Sequence, residues 1–318
     1  MRDLYLVSTI QPHSNNMNII ESFTPPLING VSASKVFLPN DLTVNTVFEY
    51  LCQHFPHIQP KEWQQRFADQ LIYAADGSIL TLESPYTANT HIFYYRFLAQ
   101  ETHVPFQHEI LYENEHLLVV DKPHFLTMTP TGQYVQETLL VRLKKQTGYE
   151  DLTPIHRLDR ETAGIVLFCK KPELRGIYQQ LFADRKVQKI YHAIAAYRAE
   201  LHFPQILQLH LEKGQPFYTM QINSEKPQNS ETLIALLEHN QHYAKYQLKP
   251  KTGKQHQLRV HLNYLGIPIL NDPFYPVVAH KADDDFEQPL QLLAKEIYFI
   301  DPVLNQEMHF NSKFELTL

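Results

Sequence analysis

Cysteine, long apolar runs and cofactor motifs are scarce or missing in this sequence of 318 residues. Its two cysteines, Cys52 and Cys169, lie within apolar patterns, which predicts buried thiols in a reducing compartment and therefore a cytoplasmic protein. No run of 18 apolar residues occurs, so we expect no membrane-spanning helix. The first residues, MRDLYLVSTIQPHS, lack the sustained apolar region and the small-residue cleavage site of a signal peptide.

The motifs that usually hold cofactors or metals are also missing. There is no G-x-G-x-x-G, no Walker loop, no H-E-x-x-H and no C-x-x-C. The chain has 18 histidines, but His256 and His261 are five residues apart and no carboxylate stands near them in the sequence. We therefore expect no metal and no cofactor.

The chain lacks an overall excess of positive charge, because its net charge is −6. The distribution is uneven, however: residues 142–189 contain 11 Lys and Arg and 6 Asp and Glu, a balance of +5 that leaves −11 for the remainder. A second basic cluster consists of Lys249, Lys251, Lys254 and Arg259. A basic face on an acidic protein is compatible with RNA binding but does not require it.

The apolar pattern of the first hundred residues predicts a small domain. Residues 1–35 show no clear period, which indicates irregular structure. An apolar stripe from Val44 predicts a helix capped by Thr43, and Pro60 suits the first turn of a second helix. An Asp76-Gly77 turn between apolar segments predicts a hairpin. We therefore expect a small α/β domain over residues 36–98, then a linker over 99–108.

Residues 109–318 read as one α+β domain with a mainly antiparallel sheet. Apolar strand patterns dominate, and no regular strand–helix alternation appears. Helical stripes are predicted around Leu139 to Leu143, ended by Gly148, around Leu174 to Phe182, and around Leu258 to Leu265. The pattern of residues 200–228 does not assign them to any element.

The most distinctive stretch is PIHRLDRETAGIVLFCKK, from Pro154 to Lys171. Its charged first half precedes a short apolar run that predicts a buried strand, and Gly164 between them permits a tight turn or a close approach. A charged loop ahead of a buried strand is a common support for a reactive side chain. Composition alone is equally consistent with a surface loop that contains an ion pair.

Within that stretch, HRLDRETAG resembles the H-R-L-D-R-x-T-S-G signature of the RluA family of pseudouridine synthases. Three further segments are similar to family motifs and follow in the family's order. They are ILYENEHLLVVDKP from Ile110, KIYHAIAA from Lys189, and LKPKTGKQHQLRVHLNYLGIPILNDPFY from Leu248. The resemblance covers roughly residues 107–302 and implies the pseudouridine synthase fold, a mixed, mainly antiparallel sheet flanked by helices and loops. The amino-terminal segment more weakly resembles the αL RNA-binding domain, and a cap that packs on the catalytic domain is an equal alternative.

The resemblance also implies roles for individual residues. Asp159 would be the catalytic carboxylate, acting either as nucleophile at C1′ or as base at C2′, with Arg259 as its cationic partner. Tyr191 would stack on the uracil and could help to remove the C5 proton. Base flipping is implied, because C1′ and C5 are poorly reachable in stacked RNA. The residues expected to contact RNA are Arg157, which would enter the vacated stack, and Arg160, Lys189, Lys254 and His256.

The resemblance thus implies an isomerase that converts uridine in rRNA or tRNA to pseudouridine, and we expect it to be a monomer. The first alternative is a catalytically silent RNA-binding or ribosome-assembly protein on the same fold. The second is a glycosidase or nucleosidase that uses Asp159 as nucleophile and needs a second carboxylate, for which Glu161 is the close candidate.

Overall fold

The structure, a computed structural model, describes residues 23–40, 43–96 and 101–318. Two compact units are present: the smaller contains Ser32–Tyr95, and the larger contains Leu27–Val31 together with residues 101–318. None of the helices in these described ranges combines the length and the apolar character needed to cross a bilayer.

The smaller unit is a three-stranded antiparallel sheet with two helices. Its strands lie in the order β1–β3–β2, and the side chain of Trp63 is fully buried in its core. Its elements are β1 Ser34–Leu38, α1 Val47–His54, α2 Pro60–Ala68, β2 Ile72–Ala74 and β3 Thr90–Tyr94.

Three details of this unit differ from the sequence predictions. Helix α1 begins at Val47 because Thr46, and not Thr43, is its N-cap: Thr46 Oγ1 accepts the Glu49 N–H at 3.1 Å. Strand β1 begins at Ser34, within the segment predicted to be irregular; residues 1–22 of that segment lie outside the described residues. The turn at residues 76–77 forms, but the returning segment makes only an isolated bridge between Tyr73 and Ile79, and the main partner of β2 is β3.

The larger unit is built on one ten-stranded sheet and a separate two-stranded hairpin. Its helices are α3 Leu139–Thr147, α4 Arg175–Ala183 and α5 Gln257–Tyr264, with a short 3₁₀ turn at Pro172–Leu174. Its strands are β4 Glu109–Glu113, β5 Leu117–Lys122, β6 Thr153–Pro154, β7 Ala163–Cys169, β8 Gln188–Ala196, β9 Gln205–Leu209, β10 Leu211–Lys213, β11 Met220–Ile222, β12 Ser230–His239, β13 Tyr243–Pro250, β14 Leu292–Ile300 and β15 Glu307–Asn311.

The large sheet has the order β4–β5–β7–β14–β8–β13–β12–β9, with β6 paired to β7 and β15 paired to β14. Every pairing is antiparallel except the parallel contact of β7 with β14. The predicted α+β class with a mixed, mainly antiparallel sheet is therefore confirmed. The unassigned residues 200–228 supply the edge strand β9 and the hairpin β10–β11, whose strands of three to five residues are too short to show a clear period.

Helices cover both faces of the sheet around β5 and β7, which explains why all residues of β7 are buried. Alternate residues of these strands, such as Val166 and Phe168, pack with α3, and the intervening ones, such as Ile165 and Leu167, pack with Tyr178 of α4. The buried thiol predicted for Cys169 is present there, whereas Cys52 in the smaller unit is only partly buried.

The segment predicted as a linker forms no helix or strand over residues 101–108. It nevertheless packs as part of the larger unit, because Val104 is fully buried in the core beside α3. The Glu101 carboxylate accepts the backbone N–H groups of residues 135–137 at 2.8–3.0 Å.

Gly164, at the start of β7, makes the close approach that its position in the sequence predicts. Its φ is +114°, and a Cβ atom there would overlap the Ala294 carbonyl oxygen and lie 2.7 Å from the Ala294 nitrogen. We expect Gly164→Ala to lower the free energy of unfolding by about 2–4 kcal/mol, because both backbone strain and overlap oppose it. Urea denaturation measures this change.

Gly176→Ala is the matched control for that substitution. Gly176 is exposed in α4 and no atom lies within 4 Å of a Cβ built there, so alanine should stabilise the protein slightly, by about 0.5–1 kcal/mol. Equal effects of the two substitutions would contradict the role given to Gly164.

Candidate active site

Asp159 lies in the loop between β6 and β7, ahead of the most buried strand of the sheet. Its side chain is 29% exposed. Its backbone carbonyl accepts the Thr162 N–H at 3.2 Å, and Thr162 is itself buried. His156, earlier in the loop, accepts the Leu167 N–H on Nε2 at 3.2 Å, and burial lowers the pKa of this histidine to about 3, so it is neutral. His156 thus ties the loop to β7, and the bond from Thr162 closes a turn at Asp159 just before that strand.

Lys122 and His124 fasten the same loop from the end of β5. The buried Lys122 Nζ donates to the carbonyl oxygens of Pro123, Leu126 and Arg160 at 2.9–3.1 Å, and His124 Nδ1 contacts the Glu161 carbonyl oxygen at 2.6 Å. Burial lowers the pKa of Lys122 to about 7, although the charges of Glu161 and Asp159 oppose the shift. Sequence analysis did not single out Lys122; its place in the VVDKP segment was the available signal.

Arg259 extends from α5 and is the cation closest to Asp159. Its Nη1 donates to Asp159 Oδ2 at 3.2 Å, while its Nε and Nη2 donate to the two carboxylate oxygens of Asp272 at 2.8 and 2.6 Å. The guanidinium also lies against Phe274, with Cζ 4.8 Å from the ring centroid. The contact expected between Arg259 and Asp159 is therefore present, in a side chain that is fully buried.

Asp272 fixes the direction of this guanidinium. Its side chain is fully buried, and its Oδ1 also accepts the backbone N–H groups of Phe274 and Tyr275 at 2.8 and 3.2 Å. Burial alone would lower the pKa of Arg259, but Asp272 and then Asp159 raise it above its ordinary value. Asp272 thus keeps the guanidinium of Arg259 charged and fixes its orientation. It lies in the matched NDPFY segment, yet sequence reasoning did not assign it to the site.

The two oxygens of Asp159 differ in their surroundings. Oδ2 receives the hydrogen bond from Arg259, whereas no residue within 23–40, 43–96 or 101–318 donates to Oδ1. A partly exposed carboxylate with one oxygen held and the other unoccupied can act on a substrate as a nucleophile or as a base.

His256 lies on the other side of Asp159, at the start of α5. It has a left-handed backbone conformation (φ +52°), its Nε2 is 3.8 Å from Asp159 Oδ2, and its Nδ1 is 2.9 Å from the Tyr275 hydroxyl oxygen. The Met220 N–H donates to that hydroxyl oxygen at 2.8 Å, which leaves the phenol hydrogen for Nδ1 and places the imidazole hydrogen on Nε2, facing Asp159. Burial lowers the pKa of His256, so the ring next to Asp159 is neutral.

Tyr191 reaches the site from β8, between β13 and β14 in the sheet. It packs against the two apolar clusters that meet beneath the site. Burial, and after it the charge of Asp159, raises the pKa of the Tyr191 phenol above its ordinary value. The phenol is therefore protonated at neutral pH.

The five residues expected to contact RNA have different surroundings. Arg157 and Lys254 are exposed. Arg160 donates to Glu161 and to the Asp283 carbonyl oxygen, both at 3.3 Å, and Lys189 Nζ donates to the Thr252 carbonyl oxygen at 3.3 Å. His256 is buried, as described above. The structure therefore leaves two of the five open to a ligand and engages the other three in contacts within the protein.

Asp272 and Glu161, the two other carboxylates described above beside Asp159, are less accessible than Asp159. Both oxygens of Asp272 are occupied, and Glu161 is mostly buried and accepts from Arg160. The structure thus gives little support to a pair of catalytic carboxylates. In the part of the chain that is described, no group of three or more His, Cys, Asp or Glu could hold a metal ion.

Comparison with known proteins gives one consistent family. Residues 116–264 match the model of the RNA pseudouridylate synthase family. An RNA pseudouridine synthase of Mycoplasma pneumoniae is 32% identical over 218 residues, which is 66% of this chain and 67% of the relative. The dual-specificity RNA pseudouridine synthase RluA of Vibrio parahaemolyticus is 30% identical over 208 residues, 61% of this chain and 78% of the relative.

The fold agrees with these sequence matches. A solved structure titled human RNA pseudouridylate synthase domain containing 1 is similar with a TM-score of 0.54 and 21% identity. The similarity covers 68% of this chain and 86% of that chain.

The buried ion pair between Arg259 and Asp272 predicts a non-additive effect on stability. Arg259→Gln alone leaves a buried carboxylate without its cation, so we expect the free energy of unfolding to fall by about 3–5 kcal/mol. Adding Asp272→Asn removes that unpaired charge and should recover at least half of the loss. Urea denaturation of both single variants and the double variant measures the coupling. Additive losses would contradict the arrangement.

Proposed function

Because this chain belongs to the RluA family of RNA pseudouridine synthases, we propose that Asp159 is the carboxylate that carries out its reaction. The protein is an isomerase that converts uridine in RNA to pseudouridine. The bond from C1′ to N1 breaks, the uracil turns, a bond from C1′ to C5 forms, and the C5 proton is lost while N1 gains one. The observation that carries the assignment of Asp159 is its position: one oxygen is held by Arg259 and the other is open.

Arg259 would keep Asp159 ionised while RNA covers the site. Covering a carboxylate removes its water and favours protonation, and a fixed cation opposes that change. Asp272 shares the guanidinium, so the three groups together carry a charge of −1. This remaining negative charge suits Asp159 either to attack C1′ or to take the C2′ proton.

Tyr191 would contribute its ring and not a base. Its raised pKa keeps the phenol protonated, which supports stacking on the uracil better than removal of the C5 proton. Arg157 would fill the space left when the target nucleotide flips out; its exposure, two residues before Asp159, supports this role.

The proposed substrate is a uridine in structured ribosomal or transfer RNA. The Vibrio relative is described as dual-specific, and another Vibrio parahaemolyticus relative, 28% identical over 229 residues, is a tRNA pseudouridine synthase. We further propose that the enzyme acts in the cytoplasm as a monomer, because its two cysteines are free and one chain supplies all the groups named above.

A catalytically silent RNA-binding protein is the alternative. It would not need an oriented guanidinium beside a partly exposed aspartate, whose charges are costly to bury. The retention of Asp159, Tyr191 and Arg259 around one opening therefore supports the enzyme.

We expect Asp159→Asn to abolish pseudouridine formation while RNA affinity stays within about twofold, because the substitution keeps the shape and removes the charge and the nucleophile. Pseudouridines are mapped by carbodiimide-dependent primer-extension stops in RNA from cells with and without the gene, which also identifies the substrate. The purified enzyme and variant are then assayed on RNA from the cells that lack it. Turnover by Asp159→Asn above a no-enzyme control would exclude the assignment.

We also propose that residues 32–95 take no part in the reaction and bind few phosphates. They contain three basic and six acidic residues, a net charge of −3, and one of the basic residues, Arg66, is buried and lies 3.8 Å from Glu62. The exposed basic residues described in this unit are Lys35 and Lys61.

The double variant Lys35→Gln, Lys61→Gln should therefore leave turnover unchanged and alter the slope of log affinity against log salt concentration by less than about 0.5. Two lost phosphate contacts would flatten that slope by roughly 1.4–1.8. A change of that size would instead favour the RNA-binding interpretation based on the αL resemblance.

A further inference from the structure

The hairpin β10–β11 ends in an ordered loop that displays an aromatic ring. The Pro216 carbonyl oxygen accepts both the backbone N–H and the hydroxyl of Thr219, at 2.8 and 2.7 Å, and the Gly214 N–H donates to the Thr219 carbonyl oxygen at 3.0 Å. Phe217 lies in this loop, between Pro216 and Thr219. It is 78% exposed, which is more than any other large hydrophobic residue in the described part of the chain. A ring held outward by an ordered loop loses little conformational freedom when it binds a partner.

This ring is the outer end of a row of aromatic side chains that leads to Asp159. The centroids of Phe217 and Tyr218 are 5.5 Å apart, those of Tyr218 and Phe274 are 5.4 Å apart, and those of Phe274 and His256 are 5.5 Å apart. His256 Nε2 is in turn 3.8 Å from Asp159. Phe217 is therefore continuous with the candidate active site.

Basic side chains flank the row. Lys213 and Lys254 are both exposed. Gln255, next to Lys254, accepts from Lys213 Nζ at 2.6 Å and donates to the Tyr218 carbonyl oxygen at 3.4 Å, so the two segments lie together. Tyr218 and Phe274 also line an open cleft of about 180 Å³, whose charged lining residues are Arg160, Lys281, Glu161, Asp283 and Asp285.

We propose that Phe217 stacks on the base of an unpaired nucleotide that flanks the target uridine, with Lys213 and Lys254 near its phosphates. The inference rests on the proposed function and names the part of the substrate that this hairpin binds. Aromatic stacking beside a basic groove is how proteins hold single-stranded nucleic acid, and a flipped uridine leaves its neighbours unstacked. A protein partner would need a broad apolar area, whereas this row is one ring wide with lysines beside it.

The test uses the full chain, a 12-nucleotide oligouridylate as the binding probe, and RNA from cells lacking the gene as the substrate. The variants are Phe217→Ala and Phe217→Trp, with Ile206→Ala as the control that removes another exposed apolar side chain, on the edge strand β9. We expect Phe217→Ala to weaken oligouridylate binding and to raise KM about tenfold. The salt slope and kcat should stay unchanged, because no charge and no reacting group is lost. Phe217→Trp should restore binding, and Ile206→Ala should stay within twofold of the wild type.

Two results would overturn this inference. One is unchanged affinity and KM for Phe217→Ala; the other is an equal loss for Ile206→Ala. A change in sedimentation with unchanged RNA affinity would likewise overturn it and would assign Phe217 to self-association. Failure of the proposed function is distinct, since the wild-type enzyme would then form no pseudouridine in any RNA tested.

Discussion

The structure around the site depends on one buried guanidinium shared by two carboxylates. Arg259 is fully buried, and its three nitrogen atoms donate to Asp272 and Asp159. A buried charge is tolerated only when its hydrogen bonds are satisfied. Asp272 satisfies two of the nitrogen atoms of Arg259 and so offsets the cost of burying its charge. The ion pair with Asp272 is fully buried, whereas Asp159 remains partly exposed. The contact between Arg259 and Asp272 therefore stabilises the fold, whereas Asp159 is accessible to a substrate.

The fold brings these groups together from distant parts of the chain. Asp159 precedes β7, and Arg259 lies one hundred residues later on α5. The loop of Asp159 stays in place because Lys122 at the end of β5 bonds to it and because Gly164 allows β7 to approach β14 closely. Strand β14 also pairs with β8, which carries Tyr191. A change in the register of this central sheet would thus move both Asp159 and Tyr191. The geometry of the site therefore depends on the packing of the sheet.

The sequence predicted those features that depend on periodicity and on motifs. The apolar stripes located α1 and α3 to α5, Pro60 marked the start of α2, and the resemblance placed Arg259 beside Asp159. The role of Asp272 was not predictable in this way, because it depends on the direction of a loop side chain thirteen residues beyond Arg259. Charge was likewise a poor guide to exposure. Arg160 and Lys189, both expected to contact RNA, are only partly exposed and make hydrogen bonds within the protein, so their contact with RNA stays a prediction.

An RNA-binding surface on a protein of net charge −6 requires that its acidic groups be neutralised where RNA approaches. At this site the carboxylates do not repel the backbone freely, because Asp272 is buried on Arg259 and Glu161 is paired with Arg160. Of the exposed charges near the site, Arg157 and Lys254 are positive, and Asp283, which lines the cleft together with Arg160, is negative. The buried groups beside Asp159 are thus either neutral, as His256 is, or paired with an opposite charge, as Asp272 and Glu161 are.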